Sequence, residues 1–409
     1  MSEGTFDFKV SEPEQRKGGS TLDLSYWIYK VRARTTLPQY SRKDMEVMRR
    51  YSDFEWLRSQ LSEEFPFCII PPIPEKAVQG TIDKIVGTGV NSKLLEYRQR
   101  ALRKFLIRVG AHNFLHTSSL LQDFLEMDEA EWERRMKSGK KTSSERSIAA
   151  AIGEGMGSAL SRQWYPTAAA QPSGASYTKA LADGKTSPQV WEETRAYVGQ
   201  LEASITLLRE RLDSLVKRRK DTSSALNEFG RSFARVGEIE GTIEPSQLSN
   251  ALSAVGHHSE HLSTIYMEQA DQETKQVVET LAYYVGMCSA VRETLKRLQT
   301  MMQQRDSLVA QVTDLAQQRE KAIQKGGQAD KVQRLDHDLQ TATERRDISS
   351  KQVIDVEVLF KEELRRFHRE KQYDIKAILK IFAELQLDYA SKMKRSWENL
   401  LPTVEQVKL

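Results

Sequence analysis

The chain has 409 residues, 29% of them charged and 39% apolar, with a formal net charge of only +4. That length exceeds one ordinary core and predicts two domains, and the near balance of charge excludes a global cationic field, so any grip on a polyanion must come from local clusters. No stretch approaches the roughly 20 apolar residues that cross a bilayer, and two isolated thiols, Cys68 and Cys288, make neither a disulfide framework nor a zinc site. The two thiols point to a reducing, cytoplasmic setting, and the start, "MSEGTFDFKV", has no basic leader and no apolar run, so no secretory signal is expected.

Residues 1–136 are mixed in texture. "LSYWIYKVRART" is aromatic and β-branched and reads as a strand, and "SRKDMEVMRRY" reads as its antiparallel neighbour. The prolines of "IIPPIPEK" break the pattern, and "LLEYRQRALRKFLIRVG" is an amphipathic helix. The expectation is a small α+β domain. Residues 137–187 are rich in Gly, Ser and Ala and read as a linker. Inside it Ile148, Ile152, Met156 and Leu160 fall four apart on one helical face. Gly153, Gly155 and Gly157 each cost about 1 kcal/mol there. Such a segment is marginal in water and is expected to fold only against a membrane; the alternative is a plain flexible linker.

From Ser187 the texture is helical, with a capping hydroxyl followed by Pro188. Three segments are predicted, about 188–240, 246–325 and 328–401. The last would span roughly 110 Å if unbroken. In the second, Leu281, Tyr284, Cys288, Val291, Leu295, Leu298, Met302, Arg305, Val309 and Val312 alternate three and four apart, a coiled-coil seam with one charged intruder. Val353, Val356, Phe360, Leu364 and Phe367 continue it in the third. Three long helices joined by short turns predict an antiparallel bundle whose uncovered apolar surface calls for a dimer.

"MRRYSDFEWL", residues 48–57, carries the chemistry. An arginine fork donates two parallel hydrogen bonds to a phosphate, and a neighbouring aromatic ring can back a sugar or cyclitol. Arg50 and Tyr51 suit those tasks, with Phe54 and Trp56 as core anchors. By itself "RRY" is a weak signal whose default reading is a solvated basic strand end. Its company is more specific. "RRYSDFEWLRSQL", then "IIPPIPEK", then "EYRQRALRKFL" resemble the phox-homology (PX) domain of sorting nexins, over about residues 5–128. The resemblance implies that Arg50 binds an inositol 3-phosphate, Tyr51 packs on the inositol ring, Lys76 meets the 1-phosphate and Arg98 the free ring hydroxyls. The implied ligand is phosphatidylinositol 3-phosphate. Val78, Ile82, Ile85 and Val86, in a glycine-punctuated loop, would dip into the bilayer as family loops do, or else pack inward.

The region 188–409 is similar to a BAR domain of the sorting-nexin kind. "AVGHHSEHLSTIY" and "VVETLAYYVGMCSAVRETLKR" resemble the sorting nexin-4 subgroup, linked to endosomal recycling and autophagy. The expected fold is thus a PX domain, a three-stranded antiparallel sheet with helices, followed by an all-α BAR domain of three long antiparallel helices. A BAR dimer, with itself or with another PX–BAR sorting nexin, would set cations on anionic membrane: Lys217, Arg218, Arg219 and Lys220, and Arg319, Lys321, Lys325, Lys331 and Arg334. Each is worth about 1 kcal/mol near such a surface, so several together matter. The implied protein is peripheral on early endosomes, binding one lipid, sensing curvature and helping to form tubular recycling carriers. The rival is a coiled-coil scaffold with a degenerate lipid pocket.

His257, His258 and His261 have no HExxH pattern or acidic cluster around them, so no metal is expected. There is no phosphate-binding glycine loop, nucleophile elbow or kinase signature, hence no enzyme and no cofactor. No nucleic-acid signature accompanies the basic residues.

Overall fold

A computed structural model describes residues 6–11, 13–16, 26–74, 90–142, 187–243, 246–324 and 329–407. They fall into two structural units, one comprising 1–199 with 286–367 and the other 200–285 with 368–409.

The first unit opens with a sheet of four strands: β1 (Phe6–Val10), β2 (Glu14–Arg16), β3 (Tyr26–Thr35) and β4 (Asp44–Arg50). β3 is central. β4 runs antiparallel along it from Ile28 opposite Arg50 to Arg34 opposite Asp44. β1 pairs with residues 31–35 of β3 and β2 with residues 26–28. The three strands expected are therefore four, because one edge comes in two pieces. Pro13 sits at the break and has no N–H to give the ladder, while Ser11 N still donates to Lys30 O at 2.8 Å.

Period-two alternation sorts the faces. Tyr29, Val31, Ala33 and Thr35 of β3 are buried, as are Met45, Val47 and Arg49 of β4. Helices cover that face: α1 (Tyr51–Glu64), α2 (Val90–Gly110), α3 (Ser119–Glu126) and α4 (Glu129–Thr142). α1 contributes Phe54, Leu57 and Leu61, and α2 contributes Leu102, Phe105, Leu106 and Val109, both at helical spacing toward one core. Trp56 packs edge-on against Trp132 at 5.1 Å. Ser118 caps α3 by accepting Leu120 N.

Four long helices follow: α5 (Ser187–Ile243), α6 (Gln247–Glu273), α7 (Glu279–Gln324) and α8 (Ala329–Glu405). A five-residue π-helical stretch, Thr274–Val278, joins α6 to α7, so the second predicted segment is one helix with a widened turn. In the first unit Cys288, Val291, Leu295, Leu298 and Met302 are buried, as are Val353, Val356, Phe360, Leu364 and Phe367. Trp191 packs against Phe360 and donates to Glu357 at 2.8 Å. Arg319 pairs with Asp336 across the turn, so α7 and α8 run antiparallel. The seam opens beyond Met302: Arg305 pairs with Asp306, and Val309 is exposed. α8 continues through Pro402, where the predicted segment stops.

In the second unit α5 and α6 cross at glycines. A Cβ on Gly230 would lie 2.6 Å from Gly256 O, and one on Gly256 would lie 2.8 Å from Gly230 O. Only hydrogen fits at both. Leu262, Ile265 and Tyr389 form an apolar cluster of that unit.

Candidate headgroup site

The double arginine is divided by the strand. Arg49 points inward and is fully buried. Its guanidinium donates to Phe124 O at 3.0 Å, Met48 O at 2.9 Å and Met127 O at 2.6 Å, and lies over the Trp132 ring at 5.0 Å. Burial lowers its pKa to about 10, still far above neutrality. Arg50, one residue on, faces the other way. Its backbone N–H donates to Asp53 at 2.7 Å, closing the first turn of α1. Its guanidinium lies 4.4 Å from the centre of the Tyr26 ring.

Tyr51 begins α1 and donates its hydroxyl to Pro74 O. Burial pushes that phenol up to about 12, so it stays a donor. Arg98 of α2 lies over the Tyr51 ring at 4.8 Å. Tyr29, buried behind, has its phenol raised by burial in spite of Arg98 beside it. Arg50 and Arg98 each lie against a tyrosine ring, and among the described residues neither pairs with a carboxylate. Elsewhere in the domain Arg16 pairs with Glu129, Arg32 with Asp44 and Arg135 with Asp123. Asp53 and Glu133 lie close enough to feel the charge of Arg50, and the Tyr29 phenol that of Arg98. With no ion pair formed by either among the described residues, the two guanidinium groups keep hydrogen-bond donors for an anion.

Lys76 lies outside the described residues, as do Val78, Ile82, Ile85, Val86, Ile148, Ile152, Met156, Leu160 and Lys325. Tyr26 and Tyr29 escaped the sequence reading. Their strand was legible, but the register that sets Ile28 opposite Arg50, and so Tyr26 near it, was not.

The predicted basic surface divides as well. Lys217, Arg218, Lys321, Lys331 and Arg334 are exposed. Lys220 lies 3.6 Å from Asp271. Arg219 is removed from that surface. It donates to Glu273 at 3.0 Å, Gln269 at 3.2 Å and Gln386 at 2.9 Å, and Glu273 is fully buried. Helical spacing turned this one residue of a four-residue basic run inward.

One group among the described residues has metal-ligand composition: Cys68, His112 and Glu363, all buried, their ligand atoms within 4.8 Å of one another. Its donors are committed. Glu363 Oε2 accepts from Ile69 N at 2.8 Å, and from Arg366 at 2.8 Å. His112 Nδ1 accepts the Phe114 and Leu115 amides, so Nε2 carries the hydrogen directed at Glu363, 3.1 Å away. Burial drives the Cys68 thiol well above its usual pKa, away from the thiolate that a metal needs. The cluster is a hydrogen-bonded joint. His258 Nδ1 is 3.3 Å from Ser396 Oγ, and His257 is mostly exposed.

No described helix is long and apolar enough to cross a membrane. Residues 37–128 match the PX domain family model, and residues 174–403 match the family described as Vps5 C terminal like. The chain is similar to sorting nexin 1 of Arabidopsis thaliana, 27% identical over 397 residues that cover 97% of this chain and 92% of the relative. It is 26% identical to sorting nexin-1 of Mus musculus over 415 residues, 99% of this chain and 73% of that protein. Among solved structures it shares the fold of the SNX-BAR Mvp1 tetramer, determined by cryo-EM, with a TM-score of 0.69 and 19% identity over 96% of this chain and 99% of that one. The finer likeness to sorting nexin-4 is not carried by these relatives. With its small antiparallel sheet, its long helices and both family models matched, the chain belongs to the PX–BAR sorting nexins, non-enzymatic peripheral membrane proteins of endosomal trafficking that respond to membrane curvature.

Proposed function

We propose that this chain binds phosphatidylinositol 3-phosphate on early endosomes and couples that recognition to curved membrane during tubular recycling of cargo. The observation that supports it most is the pair of guanidinium groups, Arg50 and Arg98, each held by a tyrosine ring and neither paired with an acid among the described residues. In this reading Arg50 takes the 3-phosphate, Tyr51 backs the ring, Arg98 meets the free hydroxyls and Lys76 meets the 1-phosphate. The domains are 1–136 for the headgroup, 137–187 as linker and 188–409 for dimerisation and curvature. Val78, Ile82, Ile85 and Val86 enter the bilayer, and Ile148, Ile152, Met156 and Leu160 form a second inserting face. Lys217, Arg218, Lys220, Arg319, Lys321, Lys325, Lys331 and Arg334 supply the cationic surface, without Arg219. A role in autophagy belongs to the same proposal.

A dimer, homotypic or with another PX–BAR sorting nexin, is favoured by exposed apolar side chains. Within the second unit Leu379 is 64% and Leu387 is 73% exposed, the kind of surface a partner covers. Each lipid contact alone is weak, and linking them multiplies their effect.

The test is co-sedimentation with vesicles carrying the 3-, 4- or 4,5-phosphorylated inositol lipid, or phosphatidylserine only, at several diameters, with the oligomeric state measured by light scattering. The 3-monophosphate should bind best, and Arg50→Ala should weaken it about 30-fold, the worth of a lost charge-assisted pair. A chain indifferent to the lipid and to the substitution is a scaffold, and the proposal is wrong.

A further inference from the structure

Residues 65–74, which lead from α1 toward Lys76, form neither helix nor strand. Pro66, Pro71, Pro72 and Pro74 have no N–H to donate. Yet Phe67, Cys68, Ile69 and Ile70 are at most 3% exposed. A buried strap of this kind must find partners for its backbone groups, and the partners then decide its path.

A few partners are local: Cys68 N donates to Phe65 O, and Arg58 Nε to Pro71 O at 3.2 Å. The others come from the long helices of the same unit. Arg297 of α7 donates to Ser62 O at 2.8 Å and to Pro66 O at 3.2 Å, and also to Ser62 Oγ at 2.8 Å. The Thr294 hydroxyl lies 3.3 Å from Cys68 O and 3.1 Å from Ala290 O of its own helix, one hydrogen shared between the two carbonyls. On α8, Glu363 accepts Ile69 N at 2.8 Å, and Arg366 donates to Ile69 O at 3.1 Å. Both polar groups of Ile69 are thus satisfied from one helix. The Gly286 backbone closes on the strap so tightly that an added Cβ would lie 2.7 Å from Pro72 Cβ. Gly286, Thr294 and Arg297 share a face of α7 by their spacing.

The far end of the strap reaches the headgroup site. Pro74 O receives the Tyr51 hydroxyl, and Arg98 rests on that tyrosine ring. We infer that Thr294, Arg297, Glu363 and Arg366 are positioning residues of the headgroup site: the BAR-type helices hold the strap that orients Tyr51, and so set the affinity for the phosphoinositide. This rests on the reading that Arg50, Tyr51 and Arg98 bind that headgroup.

The experiment titrates the full chain with a short-chain, water-soluble phosphatidylinositol 3-phosphate by calorimetry, which removes any contribution from membrane curvature or insertion. Amide exchange over residues 62–74 and thermal unfolding are followed in parallel. Arg297→Ala should weaken headgroup binding about tenfold, a typical coupling between linked sites, with faster exchange in the strap. Arg297→Lys, which keeps a cationic donor, should recover part of the affinity. Thr294→Val, nearly isosteric, should give a smaller loss in the same direction with a modest fall in melting temperature, since the buried Cys68 carbonyl loses a donor. Affinities within twofold of wild type, with the strap's exchange raised, would overturn the inference while Arg50→Ala still weakened binding about 30-fold. Should Arg297→Ala not fold, Thr294→Val and Arg297→Lys decide, and unchanged affinity in both counts against it. A wild-type chain that ignores the soluble headgroup removes the binding reading itself.

Discussion

Arg49 and Arg50 are chemically identical and adjacent, and they do opposite things. A strand turns alternate side chains to opposite faces, so Arg49 supplies donors to three backbone carbonyls in the core while Arg50 lies against Tyr26 at the site. The two should separate in experiment. Arg49→Met strands those carbonyls without donors and should cost about 3 kcal/mol of stability. Arg50→Met should leave the unfolding free energy within about 0.5 kcal/mol of wild type and weaken headgroup binding about as much as Arg50→Ala. Chemical denaturation together with vesicle binding on each variant checks this, and equal stability losses would refute the division. Arg219 makes the same point on a helix: amid exposed Lys217 and Arg218 it alone reaches the buried Glu273.

At the scale of elements, glycine has two meanings in the long helices. Gly199 on α5 has nothing within 4 Å of where a Cβ would stand, whereas Gly256 on α6 would press its Cβ onto the Gly230 carbonyl. Replacing a helical glycine by alanine normally gains up to about 1 kcal/mol. Gly199→Ala should therefore raise the melting temperature. Gly256→Ala should lower it, because overpacking against backbone costs about 2 kcal/mol and cannot be relieved by a rotamer change. Thermal unfolding of the two variants gives opposite signs if the crossing is as described, and the same sign if it is not.

At the scale of the chain, the joint at Glu363 ties residues nearly 300 positions apart. Burial opposes charge on this carboxyl, but Arg366 and the His112 N–H hold its pKa at about 2, against 4.5 in a model peptide. A lowered folded pKa contributes stability above the unfolded value, and that contribution is lost as pH falls from about 4.5 toward 2. Wild type should be more stable than Glu363→Gln at pH 7, and the gap should narrow as pH drops below 4.5. Denaturant titrations at a series of pH values measure it; a gap that is constant down to pH 3 would mean that the carboxylate charge contributes nothing.

The primary sequence by itself determined the kind of protein this is. Aromatic and β-branched alternation wrote the strands, three-and-four spacing wrote the helices and their seam as far as Met302, and the resemblance of "RRY", "IIPPIPEK" and "EYRQR" to the phox-homology family named the domain. These are local signals, set by the geometry of a few neighbouring residues. What only the tertiary structure decided depends on partners distant in the chain. Tyr26 meets Arg50 through strand register, Arg219 leaves the basic surface because Glu273 is buried beside it, and Cys68, His112 and Glu363 form a joint. No local pattern encodes those meetings, because a buried polar group is satisfied by whichever residue the fold delivers to it.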